Sequence, residues 1–489
     1  MDDQNRKDKA GKRGRCVVKS SSSAAAAASS SPSATAAVGG RSLSVDIKQA
    51  DVMLAREMNS LSMKERNDVL ADIHGVVDYS QSKEIEEDEG LMDSKLREMD
   101  KALAQNFKPA DRVAYDRALF LSPRFVASKD FRKAFLRADR YDPTKAAVRY
   151  MKYFQNKLLL FGEEKLCKRV EWNDLDKDDQ DELMTGSYQI LPEPDSQGRC
   201  ISINSQKYFN YKSWQSKLRG IWYSIMCAME DERAQRTGLV NIFWVIDVGV
   251  TENLYFDLIR HVSIIEESLP YRSVGNHYCY NNPSMRPALN LLQLVAGKDN
   301  RVRFRVHRGS QMECQFALMT FGISQSILPY NEDGDLQGHY MEDFRRKRLS
   351  IEAERREAQG DRVDYPSMND VLLGRGRPYQ YHPGNVHLAN LIKARREEYN
   401  SADRWQKTVI SYDVARMVAD NGGRFLQRQD SGWKVVDQGV ARDKVASSFR
   451  VRVRLLDSNR TSEDTSSNHR QKRSKMEDNT FRPPNDRIW

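Results

Sequence analysis

Residues Gly238–Val250 read GLVNIFWVIDVGV, a near-continuous apolar run of strand formers. Such a run fits a central strand covered on both faces. The segments around it supply the cover. Upstream, Ser216–Arg233 (SKLRGIWYSIMCAMEDER) sets Leu218, Trp222, Ile225 and Met229 on one side of a helix. Downstream, Glu252–Pro270 (ENLYFDLIRHVSIIEESLP) aligns Leu254, Leu258, Val262 and Ile265 in the same way. Further out, QILPEPDSQGRCISINSQKYF reads as two short strands around a Pro/Gly turn. HYCYNNP is strand-like, MRPALNLLQLVAG is a short and very apolar helix, and RVRFRVH is an alternating strand. This order predicts an α/β domain with a mostly parallel sheet.

A helical entry precedes it. In FLRADRYDPTKAAVRYMKYFQNKLLLFG (Phe135–Gly162), Asp142 is suited to cap a helix and Pro143 to open it. Ala147, Met151, Phe154 and Leu158 then share one face. The flanks are poorer in apolar residues. Residues 1–45, with KSSSSAAAAASSSPSATAAVGG, cannot bury a core and are expected to be disordered. Residues 46–110 read as a helical extension with Leu61, Val69 and Ile73 as apolar points. Residues 341–366 read as a charged helical linker, and 457–489 as a disordered basic tail. The RQKRSK of that tail fits a nuclear localisation signal or a chance basic run.

The second ordered block spans 367–456. Its expected elements are helix, helix, a hairpin in RFLQRQDSGWKVVD, and a last helix from Gln438, making a small α+β domain. Within the second helix, Ile410, Val414, Met417 and Val418 form the apolar face. The block opens with NDVLLGRGRPYQYHPGN (Asn369–Asn385). Its glycines satisfy neither the Gly-x4-Gly-Lys-Ser/Thr phosphate loop nor the Gly-x-Gly-x-x-Gly dinucleotide loop. His382 and His387 share no helical face and have no cysteine near them, so no metal site is expected. No nucleophile is paired with a base, and neither an enzyme nor a cofactor is expected. Arg375, Arg377, His382, Asn385, Arg424, Trp433 and Lys444 are the candidate docking surface, for nucleic acid or a protein. The alternative is a solvated basic face over core tryptophans.

The bulk numbers agree. The chain has 489 residues, 39% hydrophobic, and a formal charge of +9. That charge suits an anionic partner, either nucleic acid or an acidic membrane surface. Its six cysteines form no CxxC pair and read as reduced thiols. No apolar run reaches the roughly 18–20 residues of a membrane span. The N-terminus lacks the apolar core of a secretory signal. A cytoplasmic or peripheral membrane location is expected, with the nucleus as an alternative.

Two resemblances follow from particular residues. Phe135-Leu136-Arg137-Ala138 with Arg140-Tyr141-Asp142 and Lys145-Ala146 resembles the opening signature of the CRAL-TRIO lipid-binding family. GRCISINSQKYF, NIFWVIDVGV, LPYRSVGNHYCYNNP, RVRFRVH and ILPYNEDGDLQG follow in the family's order, over about 115–340. The resemblance implies a helical bundle followed by a sheet that floors an apolar pocket, closed by a gate helix after Asn281-Asn282-Pro283. It also implies a lipid or other hydrophobic small molecule as ligand. Ile242, Trp244, Ile246, Tyr278, Leu289, Leu292, Val295 and Phe304 would line or gate the pocket. Gly297 ends the gate segment early, and Asp335 and Gln337 depart from the closing motif. No set of polar headgroup ligands carries across. The C-terminal block resembles a domain of unknown function abundant in diatom proteins. That likeness rests on Asn369–Gly376, His382–Asn385, Tyr399, Gly422–Leu426, Gly432-Trp433, Val436, Asp437, Ala441, Lys444 and Arg450. It implies no activity. The expected role of the protein is non-enzymatic binding or transfer of a hydrophobic ligand. The alternative is a nucleic-acid-associated regulator acting through residues 367–456.

Overall fold

A computed structural model describes residues 47–75, 87–205, 207, 212–248, 254–295, 297–359, 363–429 and 432–450. The low-complexity N-terminus and the basic tail lie outside the described residues. Five strands form the main sheet: β1 (Tyr188–Ile190), β2 (Cys200–Ser205), β3 (Leu239–Val245), β4 (Ser273–Tyr280) and β5 (Phe304–Arg308). Their order is β1-β2-β3-β4-β5. β1 runs antiparallel to β2 and every other pair is parallel. The apolar run of the sequence is thus the central strand, and it is apolar on both faces. Val240, Ile242 and Trp244 point one way, while Leu239 and Val245 point the other.

The two faces are covered differently. The first packs on the helix Gln311–Met319 and the segment after it, through Cys314, Leu318, Ile323 and Tyr330. The second is shared between two clusters. Over one part lie the helix Trp214–Ala228 and a helical bundle. Over the other lies the helix Arg286–Val295. The bundle is centred on the helix Pro143–Leu166, whose start forms as the sequence predicts. The Asp142 carboxylate accepts from the Thr144 and Lys145 backbone N–H groups at 3.0 Å, with Pro143 at the first position.

The N-terminal extension is bound into this domain. Leu61, Val69 and Ile73 pack with Val302 beside β5. Asp72 accepts from Arg272 at 2.6 Å, from Arg303 at 2.7 Å, and also from Arg140. The expected linker is helical, but it is packed rather than free-standing. Within His339–Gln359, Arg348 and Glu352 are buried. Glu352 accepts from the Trp172 backbone N–H at 2.9 Å and from the Tyr223 hydroxyl at 2.7 Å. Arg348 and Arg355 both donate to Glu230, at 2.8 and 2.7 Å, and Arg169 reaches the same carboxylate at 2.9 Å.

The C-terminal block forms a three-stranded sheet of order β6-β7-β8: β6 (Val371–Leu373), β7 (Phe425–Gln429) and β8 (Gly432–Val435). β6 was not expected from the sequence. It comes from the VLL of NDVLLGRG and pairs in parallel with β7. The helices Pro383–Ala394, Arg404–Asp420 and 438–450 cover one face, around Val371, Phe425, Ile410, Val414 and Phe449. Met417, assigned to that apolar face from sequence, is exposed instead. The other face carries Leu372, Leu426 and Trp433 into the core of the N-terminal bundle. There the Trp433 indole N–H donates to the Leu121 carbonyl at 2.7 Å. Phe120 meets Tyr379 and Trp433 edge to face, at centroid distances of 5.0 and 6.0 Å. Burial of each such side chain contributes about 2 kcal/mol. The small sheet is therefore sandwiched between its own helices and the bundle.

The Glu230 clamp makes stability pH-dependent. Burial alone would raise its pKa. The Arg355 and Arg348 hydrogen bonds outweigh that and hold it down at about 2. The folded value lies below the unfolded one, so this stabilisation is present above about pH 4.5 and disappears as pH falls towards 2. Glu230→Gln should lower stability at pH 7 by about 3 kcal/mol. The gap to the unmodified protein should close between pH 4.5 and 2 in urea titrations. A gap unchanged by acid would show that the clamp is not the source.

Candidate hydrophobic-ligand site

Strand alternation sorts the expected pocket residues onto opposite sides of the sheet. Ile242, Trp244 and Ile246 belong to the face packed on Gln311–Met319, where Trp244 stacks on Tyr330 at 4.9 Å. Tyr278, Leu289, Leu292 and Phe304 meet on the other face. The side chain of Val295 lies outside the described residues. The first three are therefore core residues and do not share a site with the rest. A one-residue shift along β3 finds their replacements, because odd and even positions of a strand face opposite ways. Phe243 and Val245 stand where Ile242 and Trp244 were expected.

The second face has an ordered aromatic floor. The Tyr278 ring lies between Phe243 and Phe304, at 4.2 and 4.8 Å, nearly parallel to both. Phe243 and Val306 remain half-buried. Met285, Leu289 and Leu292 cover the floor from the helix Arg286–Val295 and the turn before it. The expected gate helix thus places Leu289 and Leu292 on this strip.

A polar row borders the floor, and sequence reasoning missed it. The Ser202 hydroxyl donates to Asn241 Oδ1 at 2.8 Å. The Asn241 amide donates to Ser273 Oγ and to Asn276 Oδ1, each at 3.0 Å. Beside this row stands Asn204, in register with Phe243. Asn204 is buried, and its Oδ1 has no hydrogen-bond partner among the described residues. An acceptor left in this state costs about 1–3 kcal/mol, recoverable by any ligand that brings a donor. The available signal was Asn241 itself, a polar side chain inside an otherwise apolar strand run.

Other chemistry-bearing groups are structural. Ser187 Oγ lies 2.5 Å from Lys217 Nζ and 2.8 Å from Glu182, the geometry of a nucleophile beside a base. All three are buried, and burial lowers the Lys217 pKa. They brace the helices Lys177–Met184 and Trp214–Ala228 beside β1. A cavity of about 820 Å³ lies between the helix Met63–His74, the Asp139–Lys145 turn and residues 297–303. Its lining mixes Leu61, Val69 and Val302 with charged groups, and its Arg140, Arg149, Arg272 and Arg303 are engaged by carboxylates. Among the described residues, no cluster of three His, Cys, Asp or Glu is arranged to hold a metal, and no helix is long and apolar enough to cross a membrane.

The expected docking surface is largely turned inward. Asn385 clasps both backbone groups of Leu372: its Oδ1 accepts from the N–H at 2.6 Å, and its amide donates to the carbonyl at 2.9 Å. Arg424 pairs with the fully buried Asp370 at 2.8 Å, and that carboxylate also accepts from the Ser367 and Arg424 backbone N–H groups. A Cβ at Gly384 would strike the Asp370 carbonyl at 2.1 Å, and one at Gly423 the Asn369 carbonyl at 2.3 Å. His382 is buried, with its pKa lowered by that burial. Lys444 is half-buried, and Trp433 is spent on the bundle. Arg375 and Arg377 are exposed with no carboxylate partner among the described residues, and Arg424 is exposed but paired. The motif is therefore an internal clasp that closes β6 onto β7 and the following helix.

Residues 370–451 match a family described as a domain of unknown function, DUF6824. No curated protein matches the chain. The clasp residues Asp370, Asn385 and Arg424 lie inside the matched segment, so its motif has a structural account even without an activity.

Loss of the clasp should be visible in stability. Asn385→Ala removes two hydrogen bonds from a buried strand and should lower stability by about 1–3 kcal/mol. Arg375→Ala, on the exposed loop, should change it by less than about 0.5 kcal/mol. Thermal unfolding of the full chain checks both. Equal effects would mean that the loop arginine also carries fold energy.

Proposed function

We propose that the protein binds a small hydrophobic molecule on the sheet face beneath the helix Arg286–Val295, and acts as its carrier rather than as a catalyst. The observation that carries this reading is the juxtaposition on one face of an aromatic floor and an unpartnered polar acceptor. Phe243, Tyr278 and Phe304 provide apolar area, and each methylene of a ligand laid on it gains roughly 0.8 kcal/mol. Asn204 Oδ1 selects a ligand with one donor, such as a hydroxyl, at its polar end. The helix Arg286–Val295 supplies a removable lid, being a single element joined to the sheet at both ends. The resemblance to the CRAL-TRIO family points in the same direction.

Native mass spectrometry of the full-length chain from a eukaryotic host, with solvent extraction of the same sample, tests this. The expected result is one hydrophobic molecule per chain. Leu289→Trp, which enlarges the side chain packed on the floor, should reduce occupancy severalfold. Asn204→Ala should weaken retention of hydroxyl-bearing ligands more than of hydrocarbons. A bare chain mass that stays bare after incubation with mixed lipids overturns the proposal.

A further inference from the structure

The clasp accounts for most of the NDVLLGRGRPYQYHPGN motif but not for its exposed centre. Gly374 and Gly376 shape the loop there. A Cβ on Gly374 would run into the Tyr379 ring at 2.2 Å, and Gly376 sits at φ 103°, in the region that favours glycine. Between and after them, Arg375 and Arg377 are held in solvent. The parallel register brings a third cation to the same place. Leu373 is level with Gln427, so the loop leaves β6 alongside Arg428. The Arg428 guanidinium rests 4.8 Å above the Phe120 ring, and the same ring receives Tyr379 from the short helix Arg377–Gln380. Arg375, Arg377 and Arg428 have no carboxylate partner among the described residues. Elsewhere in this domain Arg395, Arg416, Arg424 and Arg442 are each paired with a carboxylate. Among the described residues Arg404 and Arg450 also lack a carboxylate, but Arg375, Arg377 and Arg428 are the ones that the β6–β7 register gathers at one end of the sheet. Tyr381, 69% exposed, closes the short helix that Arg377 opens.

We infer that this lip binds the backbone of a single-stranded nucleic acid. The positive groups come from two separate segments of chain, which gives a strand more than one place to set a phosphate. The guanidinium held flat on Phe120 keeps its N–H edge free for a phosphate. Tyr381 offers a π-face on which a base stacks, a contact that acidic peptides and lipid headgroups do not use. Each phosphate contact also releases counterions, so binding carries a salt signature that reports the number of cations engaged.

The test uses the full-length chain and a fluorescein-labelled single-stranded oligonucleotide of mixed sequence, in DNA and RNA forms. Anisotropy is read across a potassium chloride series. The double variant Arg375→Ala/Arg377→Ala should bind about tenfold more weakly, and its log–log salt slope should fall by about 1.4. Tyr381→Ala should weaken binding by about tenfold with the slope unchanged. Lys434→Ala removes the same charge from the opposite face of the hairpin, since Lys434 is level with Gln427, and should alter neither readout. Thermal unfolding of each variant confirms that the fold is retained. Three results overturn the inference. One is no binding by the parent chain. Another is a slope that the double variant leaves unchanged, which would place binding on the basic tail. The third is loss of binding to phosphatidylserine vesicles in the double variant while oligonucleotide binding persists, which would make the lip a membrane contact.

Discussion

One buried carboxylate holds the main domain in register. Asp72, at 7% exposure, engages Arg140, Arg272 and Arg303 at once. These come from the turn before the long bundle helix, the entry to β4 and the entry to β5. Three guanidinium groups so close together repel, and partly buried ones need a counter-charge and saturated hydrogen bonds. Arg303 meets this with two bonds to Asp72 and one to the Asp299 carbonyl, and Arg272 with Asp72 and the Arg236 carbonyl. The N-terminal extension that carries Asp72 is thereby part of the sheet domain. It fixes the ends at which β4 and β5 enter the sheet.

Much of this fold was legible in the sequence because apolar periodicity decides it. The run at Gly238–Val250 marked the central strand, Asp142-Pro143 marked the start of the bundle helix, and the C-terminal helix–helix–hairpin–helix order was visible from spacing and turn residues. Charged segments were less legible. Residues 341–366 look solvated because composition counts Arg348 and Glu352 as surface groups. Both are buried, since each finds a partner more than a hundred residues away. Pairing across such separations leaves no local trace. β6 was missed for a related reason: three residues of a loop-like motif become a strand only when Phe425 and Leu426 arrive beside them.

The site was less legible than the fold. A strand apolar on both faces hides its parity, so the choice between Ile242-Trp244 and Phe243-Val245 had no basis until the covering helices were placed. The polar row from Ser202 to Asn276 spans three strands, and no single segment displays it. In the C-terminal domain, arginines and an asparagine around glycines suggested recognition of something outside. Arg424 and Asn385 instead recognise the chain's own backbone and its own buried Asp370. The same residue types serve both uses, and only the partners each one finds separate them.

The sandwiching of β6–β8 has a consequence for how the chain is made. Trp433 closes on Leu121, 312 residues earlier in the sequence. At the usual pace of synthesis, about 5–20 residues per second, the bundle waits about 15–60 s for the strands that complete it. During that interval Phe120 and its neighbours present a bare aromatic surface to solvent and to adjacent nascent chains. The nascent protein therefore has a timed vulnerability, set by gene length rather than by the stability of the finished molecule, and a chaperone that recognises aromatic surface would meet its client there.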